Sequence, residues 1–184
     1  MLANSSYFRP SLTLAWCEEV GGDIEIALNL ALAVECIHVA SLLHDDLPCM
    51  DNAIVRREKF SLHLMDGEAK AILTGDRLIF EAYSIILFKT NLGEAQKEAA
   101  VEFLTIAGRE MIDGQYYDLF AKNKNQEDYL KTCMKKTAVL IETACLMGII
   151  SHDFFSLEGF KSEIAKASRF GTHLGLLYQI IDDI

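Results

Sequence analysis

The chain is 184 residues long, 51% apolar, and carries a formal charge of −10. That leaves enough hydrocarbon for one sizeable core, while the acidic balance sets the surface against nucleic-acid phosphates and excludes a nucleic-acid partner. With only 2 prolines and no Gly/Ser-rich stretch there is no linker, so 1–184 reads as a single domain. The 5 cysteines lack CxxC spacing, the pattern of reduced thiols in a cytoplasmic protein, and Cys36 and Cys145 sit among apolar residues as core. MLANSSYFRP at the start has neither a basic n-region nor an apolar h-region, so no signal peptide is expected. Glu25, Glu35 and Glu142 interrupt the apolar runs before the length of about 20 residues that a membrane span needs.

In chain order, Pro10 suits the first turn of a helix that Gly21–Gly22 ends. Asp23 caps a second helix, from Ile24 to about His44, apolar on nearly every face and therefore expected to be central and buried. Asp45 and Asp46 stand at its end, where a helix already carries partial negative charge, so the pair costs stability unless a cation sits beside it. Asp51 adds a third carboxylate, and hard oxygen ligands in a cluster suit Mg²⁺. Arg56 and Arg57 follow with forked donors that match phosphate oxygens. His38 lies two helical turns before Asp45 and shares its face, either as a packing residue or as a phosphate donor.

A third helix is expected from about Glu68 to Lys89, with Gly75 inside it compensated by a closely packed neighbour. A fourth runs from about Glu94 to Tyr117 and ends in GQYYD, before a polar loop at 121–126. The fifth, Glu127 to Met147, carries Lys136 and Thr137 ahead of an apolar run, where a lysine either snorkels or faces an anion. Two last helical stretches are expected, Leu157–Arg169 and Thr172–Ile184. Gln179 and Asp182 share a face of the latter, and Asp182–Asp183 form a second carboxylate pair. No period-2 run is long enough for a strand, so the fold class is all-α. Carboxylates for a metal, guanidiniums for phosphate and a greasy helix beside them describe a site for a lipid-like diphosphate.

These residues resemble the trans-isoprenyl diphosphate synthase (polyprenyl synthetase) family over essentially the whole chain. The first aspartate-rich motif, DDxxxxD, appears as Asp45, Asp46 and Asp51, with the arginine pair Arg56–Arg57 downstream. ECIHVASLLHDDLPCMDN reads like bacterial and plastid members that make farnesyl or geranylgeranyl diphosphate. GQYYD, Lys136–Thr137 and LLYQIIDD follow in the family's order. The resemblance implies an antiparallel helical bundle around a deep apolar cavity, with the two aspartate motifs facing each other across its mouth. It further implies Mg²⁺ held by Asp45, Asp46, Asp51 and Asp182, and an allylic diphosphate gripped by Arg56 and Lys136. Isopentenyl diphosphate would be held by Arg9, His38 and Arg57, with the oxygens of Thr137 and Gln179 facing an allylic cation. Ala40 and Ser41 would point toward the growing tail, with Phe80 or Tyr83 as candidates for a wall across it. The implied product is a short-chain isoprenyl diphosphate, and the implied partner a second copy or a related synthase.

The chain departs from the family pattern. Ser6 stands where a lysine that binds isopentenyl diphosphate is usual, Ala53 and Ile54 replace two acidic residues, and Glu58 replaces a glycine. It ends at Ile184 inside the second motif, so it reads as a domain incomplete at both ends, its C-terminal helices missing. Two other readings follow: a non-catalytic partner subunit of an intact synthase, and a class I terpene cyclase, against which Asp182–Asp183 argue.

Overall fold

The computed structural model describes residues 7–121 and 125–184. Ser6 and most of the expected polar loop lie outside the described residues. The described chain forms α1 (Phe8–Val20), α2 (Ile24–Asp45), a two-residue-stranded hairpin β1 (Val55–Arg56) and β2 (Lys59–Phe60), α3 (Leu62–Asp66), α4 (Glu68–Phe88) and α5 (Glu94–Phe120). After α6 (Gln126–Cys133) a π-helical turn (Met134–Ala138) leads into α7 (Val139–Ile150), and α8 (Lys161–Asp182) closes the order. The all-α expectation holds; the hairpin is the only sheet among the described residues.

Local chemistry explains the boundaries. Gly21 ends α1 in the left-handed region (φ 69°), returning its N–H to Cys17 and Glu18 carbonyls. The Asp23 side chain accepts from the Glu25 and Ile26 amides, so α2 starts where the sequence placed its cap. α2 lies at the centre, packed on α1, α4 and α7. Leu30, Ala33 and Val34 of α2 join Leu104, Leu140 and Met147 in the main core. It is not buried all round, however: Ile24, Leu28 and Leu32 remain 52%, 52% and 40% exposed, forming an apolar stripe at helical spacing. By length and mean hydropathy (2.0) α2 would pass for a membrane span, which corrects the expectation that its glutamates break the run. Yet 72% of its most apolar window is buried against other helices, as in the core helix of a globular fold.

Close helix approaches depend on glycine at specific points. A Cβ on Gly75 would strike the His44 imidazole, which explains the glycine inside α4. The last two expected helices are one, because Gly171 does not break α8. It lets α8 lie against Glu142 of α7, and Gly175 lies on Ala138 four residues on. The cost of glycine in a helix, about 1 kcal/mol, is offset by that contact. Glu142, accepting from the Ser168 and Thr172 hydroxyls (2.6 and 3.0 Å), pins the same interface.

Candidate active site

A cavity of about 420 Å³ opens where the end of α2, the hairpin, the π turn and the end of α8 meet. The loop after α2 folds back on itself: the Asp51 amide bonds the Asp45 carbonyl (2.8 Å) and Asn52 that of Leu47 (3.0 Å). Asp51 is thereby returned to the cavity beside Asp45, with Gln115 of α5 donating to its carboxylate (3.3 Å). Gly114 is the reason α5 can supply that glutamine here, since a Cβ on it would lie 2.5 Å from the Lys136 amide nitrogen. The wider π turn bulges into that gap and turns both Lys136 and Thr137 toward the cavity.

The cavity gathers Arg9, His38, Asp45, Asp51, Arg56, Arg57, Lys136, Thr137, Gln179 and Asp182, every expected site residue except Asp46. Asp46 is buried and turned away, accepting from Arg56 Nε and Nη2 at 2.9 and 2.6 Å. The second pair divides the same way. Asp182 lines the cavity, while Asp183 accepts from Gln179 (2.9 Å) and from the Tyr129 hydroxyl (2.5 Å). Thr137 donates to Gln179 Oε1 at 2.5 Å, and Lys136 is held by Asp118 at 2.8 Å. Asp118 and Gln115 of GQYYD, and Tyr178, which lines the cavity and stacks on Phe8 (5.4 Å), belong to the site although the motif spacing assigns them no role.

The electrostatics divide the cavity in two. On one side Arg9 Nη1 (3.2 Å) and Arg57 Nη2 (3.4 Å) both donate to His38 Nε2, so His38 is a neutral acceptor with its proton on Nδ1. Burial first, then Arg9, Arg57 and Arg56, drive its pKa down to about 2. Arg9 is itself buried, which lowers its pKa to about 10, and its Nε has no hydrogen-bond partner. A buried guanidinium, Arg9, and an exposed one, Arg57, gathered on a neutral ring make a pocket for an anion. On the other side burial raises Asp45 to about 6, with Asp51 and Asp46 adding to the shift against Lys136 and Arg56. Burial opposes the Lys136 charge but is outweighed by Asp118, Asp51 and Asp45, leaving its pKa above the ordinary value.

Asp45, Asp51 and Asp182 offer a cation only hard oxygen donors, and among the described residues no three metal-ligating side chains already converge. That set fits a hard divalent ion that takes few protein ligands and fills its shell with water and substrate oxygens. Two apolar pockets of about 350 and 260 Å³ run on from Asp45 between α2, α4 and α5, sharing Ser41, His44, Met111 and Ile112. Ala40 lines the farther one, and Tyr83 stands in it with its hydroxyl on Thr105 (3.2 Å). Phe80 is 75% exposed and lines neither.

A helical bundle with this cavity and apolar space beside it belongs to the isoprenoid synthase class of folds. The FPP/GFPP synthase of Zymomonas mobilis superposes with a TM-score of 0.89 at 31% identity, over 97% of this chain and 65% of that one. A Helicobacter pylori geranyltransferase, solved with magnesium and isoprenyl diphosphate, gives a TM-score of 0.83 at 32% identity, over 97% of this chain and 61% of that one. The sequence profile of polyprenyl synthetase matches residues 2–184, so the chain belongs to the polyprenyl synthetase family. Geranylgeranyl pyrophosphate synthase 7, chloroplastic, of Arabidopsis thaliana is 39% identical over all of this chain and 54% of its own length. The chain thus spans about half the length of the curated relatives it matches.

Proposed function

We propose that this domain is a Mg²⁺-dependent short-chain prenyltransferase, condensing an allylic diphosphate with isopentenyl diphosphate. The observation carrying the reading is the convergence of ten motif residues, scattered from Arg9 to Asp182, on one cavity with apolar space behind it. Asp45, Asp51 and Asp182 would hold the cation, with Asp46 acting through Arg56. When bound, Mg²⁺ supplies positive charge that stabilises a departing diphosphate. Lys136, set by Asp118, and Arg56, set by Asp46, orient the allylic diphosphate. Arg9 and Arg57, drawn together by neutral His38, seat isopentenyl diphosphate at the other side. As the allylic C–O bond breaks, the Thr137 and Gln179 oxygens face the cation, and the double bond of isopentenyl diphosphate adds before a proton is lost. The apolar pockets take the tail and exclude water that would quench the cation.

The five cysteines, all free, fit a thiol-reducing compartment, whether cytoplasm or plastid stroma. Leu73, Phe80 and Phe88 leave an apolar stripe along α4 (67%, 75% and 80% exposed) that fits pairing with a second copy or a related synthase. Light scattering of Phe80→Asp beside the parent chain tests that pairing. A non-catalytic partner subunit is the second reading, favoured by Ser6 in place of the usual lysine. Turnover of labelled isopentenyl diphosphate, by the chain alone and mixed with a full-length relative, decides between them. Product from the chain alone supports the enzyme, a changed rate in the mixture only supports the partner, and neither result sinks both.

A further inference from the structure

Against the hairpin, adjoining the active-site cavity at Leu42, Arg56 and Arg57, lies a second pocket of about 270 Å³. Its interior is hydrocarbon from Val39, Leu42, Leu43 and Leu62, with Phe60 and Met65 at the mouth, left 62% and 54% exposed. Three cations, Arg56, Arg57 and Lys59, line it against a single carboxylate, Asp46, whose Oδ1 already takes two N–H groups of Arg56.

The hairpin register puts Arg56, its charge met by Asp46, directly opposite Lys59, which brings both side chains to one side of this pocket. The hairpin's two-residue turn holds Arg57 (φ 52°) and Glu58 (φ 64°) in the left-handed region, conformations that a side chain resists. A turn that is strained twice over to gather cations above an apolar hollow makes sense where an anion with a hydrocarbon tail fills it. The geometry points to a second ligand site here, for a short single-chain prenyl phosphate. The volume is just under the lower end of small-molecule pockets, about 300 Å³, which limits the tail to a short one. Arg56, Arg57 and Leu42 also line the active-site cavity, so a prenyl phosphate outside competes with a diphosphate inside for the same guanidiniums. That competition, though not the binding, rests on the proposed function.

The test is calorimetric titration of geranyl monophosphate into the 184-residue chain in EDTA, with geraniol and inorganic phosphate as controls. Lys59→Glu and Met65→Glu alter this pocket at exposed side chains and not the inner cavity, while Lys136→Ala alters the inner cavity and the spaces beside it and not this pocket. We expect one saturable site, weakened at least about ten-fold by either glutamate variant and less than about two-fold by Lys136→Ala. Geraniol and phosphate alone should each bind about ten-fold or more weaker, since each lacks half of the recognised chemistry. Unchanged circular dichroism shows the variants folded. Absent binding, or binding lost in Lys136→Ala and kept in Lys59→Glu, overturns the site. Lys59-dependent binding in a chain that turns over no isopentenyl diphosphate would sink the proposed function and leave this site standing.

Discussion

His38 and Asp45 pull the pH dependence of stability in opposite directions. Folded His38 stays neutral down to about pH 2, whereas an unfolded histidine takes a proton below about 6.5. The unfolded state then binds more protons, so this group costs stability as pH falls, with a slope of about 1.4 kcal/mol per pH unit at most. Folded Asp45 keeps its proton up to about pH 6 while the unfolded group loses it near 3.8. The folded state binds more protons there, so stability falls as pH rises between those values. The two slopes cancel between about pH 4 and 6. In metal-free urea melts, Asp45→Asn should uncover stability that rises with pH over that range, and His38→Gln stability that falls with it. Parallel profiles for both variants would mean that the burial of these side chains is misassigned. Glu58 gives a simpler case. Glycine at φ 64° relieves about 1–2 kcal/mol of strain and restores about 0.5–1 kcal/mol of unfolded-chain entropy, so Glu58→Gly should stabilise by about 0.5–1 kcal/mol. A lower urea midpoint would show that the turn is not strained.

Among the helices, two glycines carry opposite expectations. Gly175 rests on the Ala138 backbone, so Gly175→Ala should force α8 off the π turn and cost about 1–3 kcal/mol. It would also part Gln179 from Thr137. Gly108, inside α5, has nothing within 4 Å of its would-be Cβ, so Gly108→Ala should gain up to about 1 kcal/mol from helix propensity. Paired denaturation curves read both signs, and equal effects would refute the contact argument. The space between α2 and α4 bears on product length in any form that turns over. Ala40→Tyr fills the farther pocket from one wall and should shorten the product, whereas Tyr83→Ala opens it from the other and should lengthen it. A product distribution that moves with neither variant would put the floor elsewhere.

For the molecule as a whole, the proposed function asks an acidic chain to bind an anionic substrate, and on that reading a cation is the intermediary. Isopentenyl or geranyl diphosphate with Mg²⁺ should raise the melting temperature, by about 2.7 kcal/mol of stabilisation at about a hundred times Kd. EDTA or Asp45→Ala should abolish the shift for geranyl diphosphate. A shift that survives EDTA unchanged would sink the metal clamp and leave the arginines and Lys136 as the whole of the anion site.

Helix content, the caps at Asp23 and Gly21, the need for close packing at Gly75 and the family itself were all legible in the residues, because they rest on spacing and on neighbours within a turn or two. The motif order also told which segments should meet. Which member of each aspartate pair faces the cavity was not legible. Adjacent helical residues diverge by about 100°, and the choice falls to partners far along the chain: Arg56 for Asp46, Tyr129 and Gln179 for Asp183. Nor could periodicity tell that Gly171 continues α8, since a glycine reads as a break until a neighbouring helix lies against it. The exposed stripe on α2 and the choice of Tyr83 over Phe80 have the same origin. An apolar residue records that it can be buried, and only the packed neighbours decide whether it is.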